Sequence, residues 1–261
     1  MISILLSNLL IVLLLMLVAW GVSLAKKDAG VADSFWGLGF VLVAWTTFAW
    51  ADGYVLRKWL LTVLTTIWGL RLAVHITRRN WGKEEDRRYR KWRADHGEDF
   101  WWISLFTVFG LQGLLLWLIA LVLQVGQMSP APARLVWLDW LGVLLWAVGF
   151  GFEAVADWQL ARFKADPANR GKVMDQGLWR YSRHPNYFGE ALLWWGIFLV
   201  ALATPGSLWL VISPLTITFL LLKVSGVTLL EQNIVETKPH YRDYIARTSA
   251  FVPWFPKRGG P

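Results

Sequence analysis

The sequence predicts an all-α, polytopic membrane protein with about seven transmembrane helices. The chain is 56% hydrophobic over 261 residues and contains 20 tryptophans, and its mean hydropathy is +0.43. Its apolar residues gather into runs of about 20, the length that crosses a bilayer as a helix. Its Lys and Arg fall almost entirely into alternate connections between those runs.

The first run, residues 2–24, has no basic leader and no small-residue cleavage site, and it is longer than a signal segment's apolar core. It is expected to remain as the first helix. Further apolar segments follow at 35–51, 59–76, 100–125, 138–156, 187–203 and 208–224. The second and sixth are short, which suits helices packed inside a bundle. An odd number of crossings puts the termini on opposite sides.

Charge orients the bundle. With the N-terminus outside, segments 25–34, 77–99, 157–186 and 225–261 face the cytoplasm and hold 2, 8, 6 and 5 Lys and Arg, or 21 of the 26. Lys223 sits at the cytoplasmic end of the last segment. The outer loops hold Arg57, Lys58 and Arg134, and Arg71 lies within the third segment. The positive-inside rule therefore selects N-out, C-in. Most of the net charge of +8 is this asymmetry, so no nucleic-acid partner is needed to explain it. The expected partners are membrane lipids and a hydrophobic small molecule, and nothing in the chain indicates a protein partner.

The connection "RRNWGKEEDRRYRKW" reads as a surface helix against anionic lipid, or alternatively as a lid over a cytosolic site. Trp36, Trp59, Trp101, Trp102, Trp137, Trp140 and Trp179 lie near segment ends, as interfacial anchors do. The tail "ARTSAFVPWFPKRGGP" is expected on the membrane surface.

Composition narrows the chemistry. With no cysteine, disulfides, thiolate metal sites, iron–sulfur clusters and a Cys nucleophile are excluded. Four scattered histidines (His75, His96, His184, His240) cannot build a multi-histidine metal centre, and no metal site is expected. Catalytic power must come from an organic cofactor or from Asp, Glu, Tyr, Lys and Arg.

Ionisable residues inside membrane segments are costly and mark functional positions. Here they are Arg71, Glu153 and Glu190, with Asp33, His75, Asp157 and Glu231 at boundaries. On the N-out topology all seven fall at cytoplasmic ends, which describes a polar cup open to the cytosol. Glu153 and Asp157 are four apart and share a helix face, and Lys164 extends it. Asn186 and Glu190 are likewise four apart, after a Pro185 suited to a first helical turn. "SRHPN" thus places Arg183, His184 and Asn186 around a helix N-terminus, where backbone N–H groups favour an anion. Lys164, Arg170, Lys172 and Arg180 make the preceding loop a candidate polyphosphate cradle. The alternative is a basic loop on lipid headgroups, with Glu190 satisfied by a neighbouring helix. Asp33 reads either as a catalytic donor or as the cap of the second helix.

"GFGFEA" (149–154) matches the letters of a dinucleotide fingerprint but lacks the preceding strand. Its small residues are expected to serve close helix packing. No P-loop, H-E-x-x-H or G-x-S-x-G is present. Arg71 and His75, at a helix end, read as snorkelling or hydrogen-bonded side chains.

"GLWRYSRHPNYFGE", followed by "LLEQNIVETKPHYRDYIARTSAFVPWFP", resembles the bacterial DUF1295 family of membrane proteins, related to the C-terminal domain of steroid 5α-reductases. The resemblance spans the chain and is most specific from about 149 to 256. It implies one integral membrane domain over 1–261 in a bacterial inner membrane. Residues 1–125 would form the substrate side and 138–261 the cofactor-binding part, with the cofactor facing the cytoplasm. Isoprenylcysteine carboxyl methyltransferases and phospholipid methyltransferases share the "RHPxYxG" core but bind S-adenosylmethionine. Asn186 and Glu190 resemble the Asn and Glu of the reductases' "N-x-x-G-E", and Asp157, Lys164 and Lys172 match their upstream acidic and basic positions. The resemblance implies that these residues, with Arg180, Arg183 and His184, line an NADPH site. Glu231, Glu236, Tyr241 and Tyr244 would close over it. The reductases polarise the substrate ketone with an early Gln-Glu pair and a Tyr in the next helix. This chain has Asp33 with Ser34 there, and Trp68 three before Arg71 with no tyrosine in the third segment, so its donor is different or absent.

The implied activity is an NADPH-dependent reduction of a conjugated C=C in a lipid-soluble enone or enoyl compound, with Asp33, Arg71 or Tyr187 as donor to the carbonyl oxygen. The alternative is an S-adenosylmethionine-dependent methyltransferase acting on a lipid or prenylcysteine-type acceptor.

Overall fold

A computed structural model describes residues 1–224, 231 and 241–257. Among these residues every regular element is a helix or helical turn. In chain order the α-helices are α1 (Ile2–Lys26), α2 (Val31–Trp50), α3 (Val55–Asn80), α4 (Arg87–His96), α5 (Phe100–Ser104), α6 (Leu111–Ile119), α7 (Leu121–Gly126), α8 (Trp137–Ala165), α9 (Pro185–Leu202), α10 (Ile212–Phe219) and α11 (Tyr241–Arg247). A π-helical stretch, Leu105–Gly110, joins α5 to α6.

Five helical stretches are long and apolar enough to cross a membrane: Ile2–Lys26, Val31–Trp50, Val55–Asn80, Arg87–Gly126 and Trp137–Ala165. They correspond to the first five of the seven expected segments, the second ending one residue early at Trp50. Leu208–Val224 is apolar but shorter. Pro185–Leu202 has 18 residues, and Asn186 and Glu190 make its first turns polar.

The chain forms two compact units: Met1–Asp139 with Val200–Ser213, and Trp140–Leu199 with Pro214–Pro261. In the first unit α1 is apolar all round, so hydrophobicity alone does not choose its inner face. The choice is made by polarity and size. Asn8, Val12, Met16, Ala19 and Ser23 form the buried stripe, while Leu6, Leu10, Leu14 and Leu17 stay exposed at 46–58%. This is the pattern of a helix whose outer face meets lipid and whose inner face supplies small and hydrogen-bonding residues. Asn8 Nδ2 donates to Thr47 Oγ1 at 2.8 Å and to Gln124 Oε1 at 3.0 Å, tying α1 to α2 and α7. Phe40 and Trp68, both fully buried, meet edge to face at 5.5 Å between α2 and α3.

Helix α1 stops where Lys27 adopts φ 54° and Asp28 N–H reaches back to Ser23 O at 3.0 Å, a left-handed C-cap. Helix α2 then starts at Val31, four residues ahead of the expected segment, so Asp33 lies in its first turn. The N-cap is Gly30. Asp33 is therefore not the cap of this helix, because a cap carboxylate must precede the helical N–H groups it accepts from.

Helix α3 begins at Val55, so Arg57 is not a loop cation. It is 1% exposed and grips Asp139 through Nε at 2.9 Å and Nη2 at 3.0 Å. Its remaining donors reach Pro132 O and Arg134 O. Asp139 Oδ2 also accepts from Val136 N–H at 2.7 Å, so both partners of the buried pair are hydrogen-bonded beyond each other, as a buried charge requires.

In the second unit α8 and α9 cross backbone to backbone. A Cβ on Gly149 would lie 2.5 Å from Leu193 N and 2.6 Å from Gly189 O, and one on Gly189 would lie 2.5 Å from Glu153 N. "GFGFEA" is thus helix-packing sequence, as its context implies. Trp179 departs from the interfacial expectation: it is 8% exposed, and its indole N–H donates to Ala156 O at 3.0 Å.

Candidate functional site

The close α8–α9 crossing brings the polar ends of two apolar helices together. Glu153 and Asp157 on α8, and Glu190 on α9, are 2%, 8% and 9% exposed. Asn186 Nδ2 donates to Asp157 Oδ1 at 3.1 Å. Its carbonyl Oδ1 is buried with no hydrogen-bond partner among the described residues. An unmade bond on a buried amide oxygen costs about 1–3 kcal/mol, so this acceptor is set for a donor from a ligand or water. Asp157 and Asn186 thus meet across the two helices, and each has a buried carboxylate four residues away on its own helix, Glu153 and Glu190.

Beside this crossing lies a clamp. Pro185 opens α9, and the two residues before it turn towards the chain's C-terminal segment. Arg183 Nε and Nη2 make a bidentate pair with Glu231 at 2.7 and 3.0 Å, and Nη1 donates to Ile245 O and Thr248 O. Its backbone N–H donates to Ser249 O at 2.9 Å. His184 Nε2 lies 3.1 Å from Glu231 Oε1, and its ring stacks flat on Tyr187 at 5.6 Å with planes 3° apart. Ser182 Oγ accepts from His184 N–H and donates to Phe251 O at 2.7 Å. The Arg183 donors expected to cradle phosphate are thus directed at Glu231 and at main-chain carbonyls.

Electrostatics agree with the clamp. Burial alone pushes the Glu231 carboxyl upward, but hydrogen bonds from His184 and Arg183 and the positive charge of Arg183 outweigh it and hold the group at about 2. Burial raises the Tyr241 phenol, and the Glu231 charge adds to this. Burial likewise raises Tyr244, with the neighbouring Tyr241 and Asp175 adding to it. Tyr244 remains a neutral donor, bonded through its hydroxyl to Trp179 O and Ser182 O. Tyr241 and Tyr244 pack edge to face at 5.5 Å. Glu231, Tyr241 and Tyr244, expected to close over a cofactor, thus fasten the tail to the turn before α9. Glu236 lies outside the described residues.

Lys164, in the last turn of α8, and Lys172, on the segment that follows, are exposed. Arg180 lines a different feature, a cleft of about 440 Å³ shared with Arg247 and Lys257. Asp157, Asn186 and Glu190 do not line that cleft.

The other expected donors belong to the first unit. Arg71 is half-buried on α3. Asp33 accepts from the Tyr89 hydroxyl at 3.0 Å and pairs with Arg88 at 3.4 Å, and Gln112 Nε2 donates to the same Tyr89 oxygen at 3.1 Å. Tyr89 is 6% exposed, so helix α4 inserts a ring among its neighbours and is more than a surface helix. Nearby, Glu85 bridges Ala29 N–H at 2.8 Å and Arg93 at 2.8 and 3.0 Å. Sequence reasoning had no signal for Tyr89 in a connection dominated by charge. For Arg57 and Asp139 a signal existed: an arginine and an aspartate, each at the head of an apolar run.

Among the described residues, no group of three or more His, Cys, Asp or Glu side chains is placed to hold a metal ion.

The chain is 26% identical over 262 residues to an uncharacterized protein of Schizosaccharomyces pombe, covering 90% of this chain and 76% of that one. No solved structure matches it. Residues 19–248 match the family described as protein of unknown function DUF1295. With most of its length matched, spanning both the helices of the first unit and the α8–α9 crossing, the chain belongs to the DUF1295 family.

Proposed function

We propose that the chain is a membrane-embedded, NADPH-dependent reductase of a lipid-soluble enone or enoyl compound. The supporting observation is the buried Asn186–Asp157 pair with its unpartnered amide oxygen. A carboxamide ligand such as nicotinamide carries the N–H donors that this oxygen lacks, and Glu153 and Glu190 add acceptors at the same crossing. Lys164 and Lys172 supply exposed positive charge suited to the phosphates.

Such a cofactor supplies a hydride to one carbon of a conjugated C=C. The tasks of the chain are to hold the ligand's amide through Asn186 Oδ1, to keep that side chain oriented through Asp157, and to direct a donor at the substrate oxygen. Of the three expected donors, Tyr187 is carried by the same unit as Asn186 and Asp157, and we assign it that role. The stacked His184 ring holds the Tyr187 ring in place. Chain orientation completes the reading: seven crossings, N-terminus outside, with the basic segments and the α8–α9 polar ends in the cytoplasm, as the distribution of Lys and Arg favours.

A second reading has its own support. Arg183 is turned away from any phosphate by Glu231, and buried acceptors suit the ammonium and sulfonium of S-adenosylmethionine. A methyltransferase is therefore the competing activity.

Calorimetric titration of the detergent-purified chain with NADPH, NADH and S-adenosylmethionine separates them. The expected result is micromolar NADPH binding, weakened about tenfold by Asn186→Leu, the equivalent of one hydrogen bond, and likewise by Glu190→Gln. Binding of S-adenosylmethionine alone moves the protein to the methyltransferase reading. If neither ligand binds, both readings fall.

A further inference from the structure

The cleft lined by Arg180, Arg247 and Lys257 has no part in the reading above. It has a volume of about 440 Å³, within the range of small-ligand sites. Its walls come from three short pieces of chain: the turn Gly177–Arg180, the end of α11, and the tail through Pro256 and Lys257. Hydrogen bonds hold those pieces in place. Tyr244 hydroxyl donates to Trp179 O, Lys257 N–H donates to Arg247 O at 3.0 Å, and Trp254 N–H donates to Tyr181 O at 2.9 Å.

Three cations line this cleft against one carboxylate. Asp175 pairs with Arg247 Nη2 at 2.5 Å, so positive charge remains in excess. Thr248 adds a hydroxyl-bearing side chain to the lining. Beside the cleft the tail presents apolar side chains outward. Trp254 is 71% exposed, Phe255 77% and Val252 57%. Tyr181 meets Phe255 edge to face at 6.0 Å, which braces that aromatic end. Exposed Trp and Phe beside clustered Arg and Lys is the pairing that binds a membrane interface: the rings enter the headgroup and acyl boundary, and the cations meet anionic headgroups. A site for a soluble phosphate has no use for the aromatic wedge.

We propose that this cleft is a binding site for the phosphate headgroup of an anionic phospholipid, with Arg180, Arg247 and Lys257 holding the phosphate and Trp254 and Phe255 lying against the acyl chains. The site anchors the C-terminal tail to the bilayer surface. It does not depend on the reductase reading.

The full chain in mild detergent is titrated with dihexanoyl phosphatidylglycerol, with dihexanoyl phosphatidylcholine and inorganic phosphate as comparators, and bound lipid is counted by native mass spectrometry. The chain is compared with Arg180→Gln/Lys257→Gln and with Trp254→Ala. These side chains are exposed, and lipid-free unfolding temperatures check that each variant folds. The expected result is saturable phosphatidylglycerol binding in preference to phosphatidylcholine. It should weaken at least about tenfold in the double variant, since each surface cation contributes roughly a fivefold factor, and less in Trp254→Ala. NADPH should not displace the lipid. Equal binding of both lipids, or an unchanged double variant, overturns the site. Inorganic phosphate binding as tightly as the lipid overturns the lipid as its ligand, and displacement by NADPH assigns the cleft to the cofactor and overturns the proposal.

Discussion

Glu231 and Arg183, 48 residues apart, form a bidentate ion pair at 2.7 and 3.0 Å, and the same carboxylate takes His184 Nε2 at 3.1 Å. Arg183 spends its other nitrogen on two carbonyls of the C-terminal segment. One carboxylate thus fastens the turn before α9 to the end of the chain. Removing its charge leaves a 9%-exposed guanidinium side chain without a counter-ion. Glu231→Gln is expected to destabilise the protein by about 2–4 kcal/mol, somewhat less than a fully buried pair because Glu231 remains 17% exposed. Thermal unfolding in detergent checks this, and Glu231→Asp should recover part of the loss.

The same pair predicts an acid response. The Glu231 carboxyl sits at about 2, below its ordinary 4.5. A depressed carboxyl contributes stability that is fully present above the unfolded value and is lost as pH falls towards the folded one. The unfolding temperature of the wild-type chain should therefore fall between about pH 4.5 and pH 2. In Glu231→Gln the fall over that window should be smaller. Equal slopes in the two proteins would show that other carboxylates govern acid stability.

Arg57 and Asp139 make a stronger case, because both are buried to within 1%. Asp139→Ala strands a guanidinium in the interior and should cost about 3–5 kcal/mol. Arg57→Lys should also destabilise despite keeping the charge, since an ammonium cannot reproduce two parallel bonds to the carboxylate and two more to carbonyls. Unfolding temperature and yield of folded protein report both.

Two helical glycines, Gly189 on α9 and Gly151 on α8, differ in what surrounds them. Gly189→Ala places a methyl 2.5 Å from Glu153 N, which forces α8 and α9 apart at about 1–3 kcal/mol and disturbs the Asn186–Asp157 contact. Gly151→Ala meets nothing within 4 Å and should be neutral or stabilising by up to about 1 kcal/mol, as alanine replaces glycine within a helix. Unfolding temperatures that move together in the two variants would contradict the packing described.

The sequence by itself determined the helical, membrane-spanning character of the chain, because length and hydropathy are local properties of a run of residues. It also determined that α9 opens at Pro185 with Asn186 and Glu190 one turn apart, since 3.6-residue periodicity requires no knowledge of neighbours. Close packing at "GFGFEA" was legible for the same reason. Only the tertiary structure decided where the long polar side chains go. Arg183 reads as a phosphate ligand until Glu231 arrives from 48 residues away. Asp33 reads as either a cap or a catalytic donor, and the partner it takes, Tyr89, comes from 56 residues away; Arg57 reads as a loop cation until Asp139 meets it across 82. A charged side chain near a helix end has many partners within reach of its flexible stem. Which one it takes depends on the segments the fold brings alongside, and no local pattern encodes that.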